Sequence, residues 1–182
     1  MTDQERILDG PPIAGSEADT LVGALERERA IVAWKSGGLD ASGLRTTVGR
    51  SSMTIGGLLK HLALIEDAYF TQRLGGKELP PPWNAVDWEA DPDWEWRTGA
   101  EDLPGEVFAM WEAAVSRSRK EVAAALARGG LDQPIHFTSE NGETPSFRRL
   151  LIDLVEEYSR HAGHVDLIRE SIDGLVGEEP PR

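Results

Sequence analysis

The amino-acid sequence predicts an all-α protein with the architecture of a four-helix bundle. Apolar residues recur at intervals of three and four along four long segments, and glycine follows the end of each segment. The connection between the second and third segments runs from about residue 77 to residue 101. Because a hairpin between neighbouring helices needs only a few residues, this connection predicts a long crossover between helices 2 and 3.

Residues that favour helix ends bound the four segments. The predicted helices span about 16–35, 53–74, 103–128 and 144–172. Ser16 or Asp19 can cap the first helix, and Asp102 can cap the third. Pro145 suits the first position of the fourth helix, where its missing N–H group costs nothing.

The bundle is expected to form one domain over residues 16–174. Glycine and proline are frequent in residues 1–15, which predicts a flexible N-terminal arm. Residues 175–182 end in Glu-Glu-Pro-Pro-Arg and are expected to form a flexible tail. With 40% hydrophobic and 28% charged residues, the composition is that of an ordinary globular protein.

Charge and cysteine content exclude several classes of function. The net charge of −13 repels phosphate backbones and anionic lipid, so neither nucleic acid nor a membrane is an expected partner. The absence of cysteine excludes disulfides, thiolate zinc sites and a cysteine nucleophile. Any metal must therefore be bound through nitrogen and oxygen. The polar N-terminus has no apolar run of the signal-peptide type, and a cytoplasmic location is expected.

Tryptophan is concentrated in the crossover. Four of the six tryptophans lie there, namely Trp83, Trp88, Trp94 and Trp96. Four indoles are too much apolar surface to leave in water. The segment is therefore expected to fold back over the bundle or to pack into a partner subunit, and residues 83–96 could form one wall of a pocket.

Two histidines occupy positions on predicted apolar helix faces. His61 lies on the buried face of helix 2, and His161 lies on that of helix 4. Glu157 precedes His161 by four residues, so the two side chains lie close together on one face. Two imidazoles and one carboxylate are the donors of an open metal site, in which water or substrate fills the remaining positions.

The same residues also have ordinary structural explanations. A buried histidine can be a satisfied core residue, and an i, i+4 Glu–His pair can be a surface ion pair. His164 is a rival ligand, because it follows His161 by three residues and could replace Glu157 or support the ligands from behind. The spacing alone leaves these alternatives open.

Two segments resemble a known superfamily. Residues 57–70 (GLLKHLALIEDAYF) and 156–170 (EEYSRHAGHVDLIRE) resemble the second and fourth helices of the DinB/YfiT-like superfamily. The nearest branch is that of actinobacterial proteins related to mycothiol-dependent enzymes, similar to the N-terminal domain of maleylpyruvate isomerase. The resemblance implies the DinB-like four-helix bundle, including the long second connection.

The resemblance also implies a ligand set. The superfamily has one histidine on helix 2 and a His-x-x-x-His pair on helix 4, whereas Glu157 stands at the first position of that pair here. The mycothiol-dependent isomerase branch uses His, Glu and His on zinc, which by position implies His61, Glu157 and His161. That isomerase has an additional C-terminal domain, and this chain stops soon after helix 4, so isomerisation of maleylpyruvate is not the expected reaction.

The expected function is that of a metal-dependent S-transferase. One divalent metal would activate a low-molecular-weight thiol, mycothiol by resemblance, for attack on an electrophile. Zinc is the expected ion, although the donor types also accept nickel, iron or manganese. His164 and Arg169 are candidates for contacts behind the ligands or with substrate.

Two other classes of function stay open at this point. A metal-dependent hydrolase or lyase would use activated water in place of the thiol. A non-catalytic stress or interaction protein would use the metal only to join two helices. The surplus of tryptophan and the superfamily resemblance also predict a homodimer.

Overall fold

The computed structural model describes residues 10–177. The predicted arm and tail therefore lie outside the described residues over positions 1–9 and 178–182. Within the described part, no helix combines the length and apolar character needed to span a bilayer.

Four long helices form the structure and confirm the predicted all-α fold. They are α1 (Glu17–Ser36), α2 (Ile55–Glu66, continued by a π-helical segment Asp67–Leu74), α3 (Pro104–Gly129) and α4 (Phe147–Asp173). Short helical segments occur in the connections, at Ala41–Leu44, Trp83–Ala85, Trp94–Gly99 and Gly130–Asp132. The crossover between α2 and α3 thus contains local helical structure that its sequence did not predict.

Helix caps explain two of the predicted boundaries. The Ser16 side chain accepts a hydrogen bond from the Asp19 backbone N–H, and the Asp19 carboxylate accepts one in return, so both proposed residues share one capping box. At the other end of the fold, Gly174 adopts a left-handed conformation with φ 76° and ends α4.

One predicted cap and one predicted helix start are wrong. Asp102 does not cap α3; Leu103 precedes the helix, and the Asp102 carboxylate instead accepts a 2.6 Å bond from Lys60 Nζ. α4 begins after Ser146, whose side chain caps it, rather than at Pro145. The Pro145 carbonyl accepts a hydrogen bond from Ile135 N–H, which keeps the proline in the preceding connection.

Helices α2 and α3 run parallel to each other. Lys60 near the start of α2 binds Asp102, just before α3. Further along both helices, the Asp67 carboxylate accepts two hydrogen bonds from the Arg117 guanidinium at 2.8 and 2.7 Å. Parallel neighbours require a connection that returns along the whole helix, so the long crossover is confirmed in its predicted role.

Helices α1 and α4 form a second parallel pair. Arg148 at the start of α4 binds Glu17 at the start of α1, and Asp166 near the end of α4 binds Lys35 near the end of α1. The two parallel pairs pack against each other in opposite directions, since residue 66 of α2 meets residue 158 of α4, and residue 61 meets residue 161.

A buried carboxylate joins the four helices. Glu66 on α2 is fully buried and accepts bonds from Arg29 Nε and Nη2 of α1 at 2.8 and 2.6 Å. Tyr158 on α4 donates its hydroxyl to the same carboxylate at 2.6 Å. Ser118 on α3 donates to the Glu66 backbone carbonyl, and Trp111 donates to the Tyr158 oxygen. The charge is therefore paired and hydrogen-bonded, as a buried carboxylate requires.

The crossover folds back over the bundle, which is one of the two arrangements expected for it. Trp83 is 1% exposed and donates its indole N–H to Asp67 at 2.8 Å. Trp88 donates its own indole N–H to the Trp83 carbonyl, so the tryptophans are packed within the chain. The predicted homodimer thereby loses the support that it drew from unburied indoles and stays a prediction.

Glycines allow the short helix Trp94–Gly99 to lie directly against the start of α2. A Cβ atom on Gly56 would collide with the backbone carbonyl of Gly99. A Cβ atom on Gly57 would stand 2.9 Å from the Trp96 carbonyl oxygen. The two backbones are in contact here, and only residues without a side chain permit that approach.

Replacing Gly56 tests this backbone contact. Gly56→Ala is expected to lower the free energy of unfolding by about 1–3 kcal/mol, because neither backbone can move aside as a side chain could. The higher helix propensity of alanine, about 1 kcal/mol, offsets only part of that loss. Gly163→Ala is the matched control, since Gly163 is exposed within α4 and an added Cβ meets nothing within 4 Å. Chemical denaturation should show the control unchanged or stabilised, and equal stabilisation of both variants would contradict the packing described.

Candidate metal centre

The three residues named from the sequence meet between α2 and α4. His61 Nε2 lies 3.1 Å from Glu157 Oε1, and His161 Nε2 lies 3.0 Å from the same oxygen. One candidate ligand atom from each residue can be chosen so that all three lie within 4.8 Å of one another. Two imidazole nitrogens and one carboxylate oxygen, without a thiolate, fit a divalent ion that accepts nitrogen and oxygen donors.

Local geometry explains the meeting. Glu157 and His161 are one helical turn apart and point to the same side of α4. His61 reaches them from the antiparallel helix α2, and its ring lies 5.1 Å from the His161 ring in an edge-to-face arrangement. The Glu157 side chain is 27% exposed, whereas those of His61 and His161 are 15% and 7% exposed. Solvent therefore reaches the cluster mainly on the Glu157 side.

Hydrogen bonds within the cluster shift the pKa values of Glu157 and His61 in favour of their charged forms. Hydrogen bonds from His161 and His61 keep the pKa of Glu157 far below its usual range. Burial opposes the charged form of His61, but hydrogen bonds to Glu157 and Glu95 outweigh it and raise the pKa of His61. The lowered pKa favours the ionised form of Glu157, and the raised pKa favours the protonated form of His61. Such a cluster suits metal binding with release of protons, and it equally suits a structural ion pair.

Two residues of the crossover complete the surroundings of His61. Glu95 is 5% exposed, and its Oε1 atom accepts a bond from His61 Nδ1 at 3.2 Å. The Trp96 ring stacks on the His61 ring with centroids 4.3 Å apart and an angle of 22°. The sequence pattern does not indicate Glu95, because the connection over residues 77–101 shows no helical periodicity. A carboxylate flanked by two tryptophans in a segment expected to fold back was the signal available.

The other two candidate residues lie in different positions. His164 Nδ1 stands 3.3 Å from His161 Nδ1, behind the ring nitrogen that does not face Glu157. Arg169 donates to the backbone carbonyls of Lys35 and Gly37 at the end of α1, at 3.1 and 2.7 Å. His164 therefore adjoins the cluster, whereas the contacts of Arg169 join α4 to α1.

A surface cavity of ≈ 640 Å³ lies beside Trp96. Its lining comes from the segment before α2 and from the crossover: Ser51, Ser52, Met53, Asp93, Trp96, Arg97 and Ala100. Trp96 contacts both His61 and this cavity. The tryptophan segment thus contributes Trp96 to the wall of this cavity, and the same residue stacks on the candidate ligand His61.

Removing a ligand should remove the metal. The wild type is expected to bind one equivalent of divalent metal, and Glu157→Ala and His161→Ala are each expected to lose it, as measured by elemental analysis after dialysis. Glu156→Ala is the matched control, because Glu156 is the adjacent exposed carboxylate on α4. Retention of one metal per chain by both ligand variants would show that the ion is bound elsewhere.

Comparison with known families identifies the family of the chain. A family model described as Mycothiol-S-transferase matches residues 20–174, a range that contains His61, Glu157 and His161. No curated protein matches the chain significantly. The match confirms the relationship to mycothiol-related DinB-like proteins that residues 57–70 and 156–170 indicated. The chain belongs to the mycothiol S-transferase family.

Proposed function

We propose that this protein is a metal-dependent S-transferase that joins the sulfur of mycothiol to an electrophile. In this proposal His61, Glu157 and His161 bind one divalent ion. The observation that carries it is the meeting of two imidazoles and one carboxylate on facing helices, in a chain of the mycothiol S-transferase family.

The amino-acid composition restricts where the nucleophile can come from. The chain has no cysteine, so the transferred sulfur must belong to a bound thiol. A free thiol has a pKa of about 8.5 and is mostly protonated near pH 7. When bound, a divalent ion supplies the Lewis acidity that lowers the pKa of a coordinating thiol. Thiol transfer and metal binding are therefore chemically connected in this protein.

The charge of the donor set favours an anionic sulfur. Glu157 contributes one negative charge, and His61 and His161 bind a metal in their neutral forms. A dication held by these residues keeps one net positive charge, which attracts an anion. We propose zinc as the ion, because this donor set is typical of open zinc sites. Nickel, iron and manganese accept the same donors.

The crossover supplies the remaining surfaces. Trp96 covers one face of His61 and restricts the access of water to that ligand. The cavity beside Trp96 offers hydroxyl, carboxylate and guanidinium groups for the polar body of the thiol. In this arrangement α2 and α4 bind the metal, and the crossover receives the rest of the substrate.

Thiol consumption tests the proposal. The zinc-loaded wild type, given mycothiol and a panel of electrophiles, is expected to accelerate the loss of free thiol with at least one of them. The metal-free protein and Glu157→Ala should lose at least about 100-fold of that rate, because a ligand is missing. Glu156→Ala should retain the wild-type rate.

Two outcomes would contradict thiol transfer. Turnover of an electrophile in the absence of any thiol would indicate a hydrolase or lyase that uses activated water. A large fall in melting temperature on chelation, without binding of mycothiol to the metal-loaded protein in calorimetry, would indicate a purely structural metal.

A further inference from the structure

Glu95 is a buried carboxylate that the proposed ligand set does not include. It lies on the short helix Trp94–Gly99 of the crossover and is 5% exposed. Its Oε1 atom accepts a bond from His61 Nδ1, and its Oε2 atom is buried without a hydrogen-bond partner among the described residues. A carboxylate is costly to bury without full hydrogen bonding, so the burial of Glu95 beside His61 needs an explanation.

The contact determines which nitrogen of His61 is available. A carboxylate can only accept a hydrogen bond, so Nδ1 must carry the proton. Nε2 faces the Glu157 carboxylate in the same way, and a metal ion would replace the proton on that nitrogen. Because Glu95 retains the proton on Nδ1, the lone pair that His61 then presents to the ion is that of Nε2. The neighbouring pair of His164 and His161 differs, because either of two imidazole nitrogens can be the donor there.

The crossover also fixes the orientation of the ring. Trp96 stacks on one face of His61, while Glu95 holds its edge. Both residues belong to one turn of helix, whose backbone is pressed against Gly56 and Gly57 of α2. A flip of the imidazole would break the contact with Glu95 and the contact with Glu157 together.

We infer that Glu95 is a positioning residue of the metal centre, which holds His61 in the tautomer and orientation that present Nε2 to the ion. This inference rests on the proposed metal-binding function and adds a residue outside the ligand set. A carboxylate behind a metal-bound histidine also raises the basicity of the ring, so it strengthens the bond to the metal.

Metal affinity is the direct test. Glu95→Gln keeps the shape of the side chain and one acceptor oxygen but removes the charge, and it should weaken zinc binding about 10-fold in competition with a chelator. Glu95→Ala removes the acceptor as well and should weaken binding by up to about 100-fold. Glu89→Gln is the matched control, because Glu89 is an exposed carboxylate of the same crossover and should leave the affinity unchanged.

A spectroscopic measurement separates positioning from a merely structural role. The cobalt-loaded Glu95→Gln protein should show visible absorption bands displaced from those of the wild type, and the metal-free variant should melt no lower than the metal-free wild type. A lower melting temperature with wild-type zinc affinity and an unchanged cobalt spectrum would overturn the inference. Absence of metal binding by the wild type would overturn the proposed function, whereas equal affinity of wild type and Glu95→Gln would overturn only the role of Glu95.

Discussion

The buried carboxylate of Glu66 is the constraint on which the rest of the structure depends. A fully buried charge requires hydrogen bonds to its oxygens, and Arg29 and Tyr158 supply them from two other helices. Removing one partner of such a buried pair costs about 3–5 kcal/mol, so the three residues hold their helices in one register. Because α2 and α4 are antiparallel, the pairing of Glu66 with Tyr158 brings His61 opposite His161. The core thus determines the geometry of the candidate metal centre.

The crossover between α2 and α3 determines what surrounds His61 on the side away from α4. The crossover must return along the whole of α2, and it is anchored where Trp83 donates to the buried Asp67. Nearer the start of α2, Gly56 lets the short helix Trp94–Gly99 approach to backbone contact. That approach brings Glu95 to His61, so the loop that makes the topology possible also completes the surroundings of the ligands.

Much of the fold could be predicted from the sequence, because helix faces and caps are local properties. Spacing also placed Glu157 and His161 on one face, but it could not show that His61 faces them, since that depends on helix register. Glu95 was missed because one helical turn within a long connection has too few residues for a periodicity to be seen. Asp102 stands where a cap is expected, but spacing does not show that Lys60, which is distant in sequence, binds it instead.

We propose that the open position of a metal bound by His61, Glu157 and His161 accepts the sulfur of a thiol. X-ray absorption at the zinc edge tests it most directly, because the chain has no cysteine whose sulfur could be mistaken for that of the thiol. The zinc-loaded protein alone should show only nitrogen and oxygen neighbours at about 2.0–2.2 Å, and saturating mycothiol should add one sulfur at about 2.3 Å. A spectrum that keeps only nitrogen and oxygen neighbours with mycothiol bound would contradict the account.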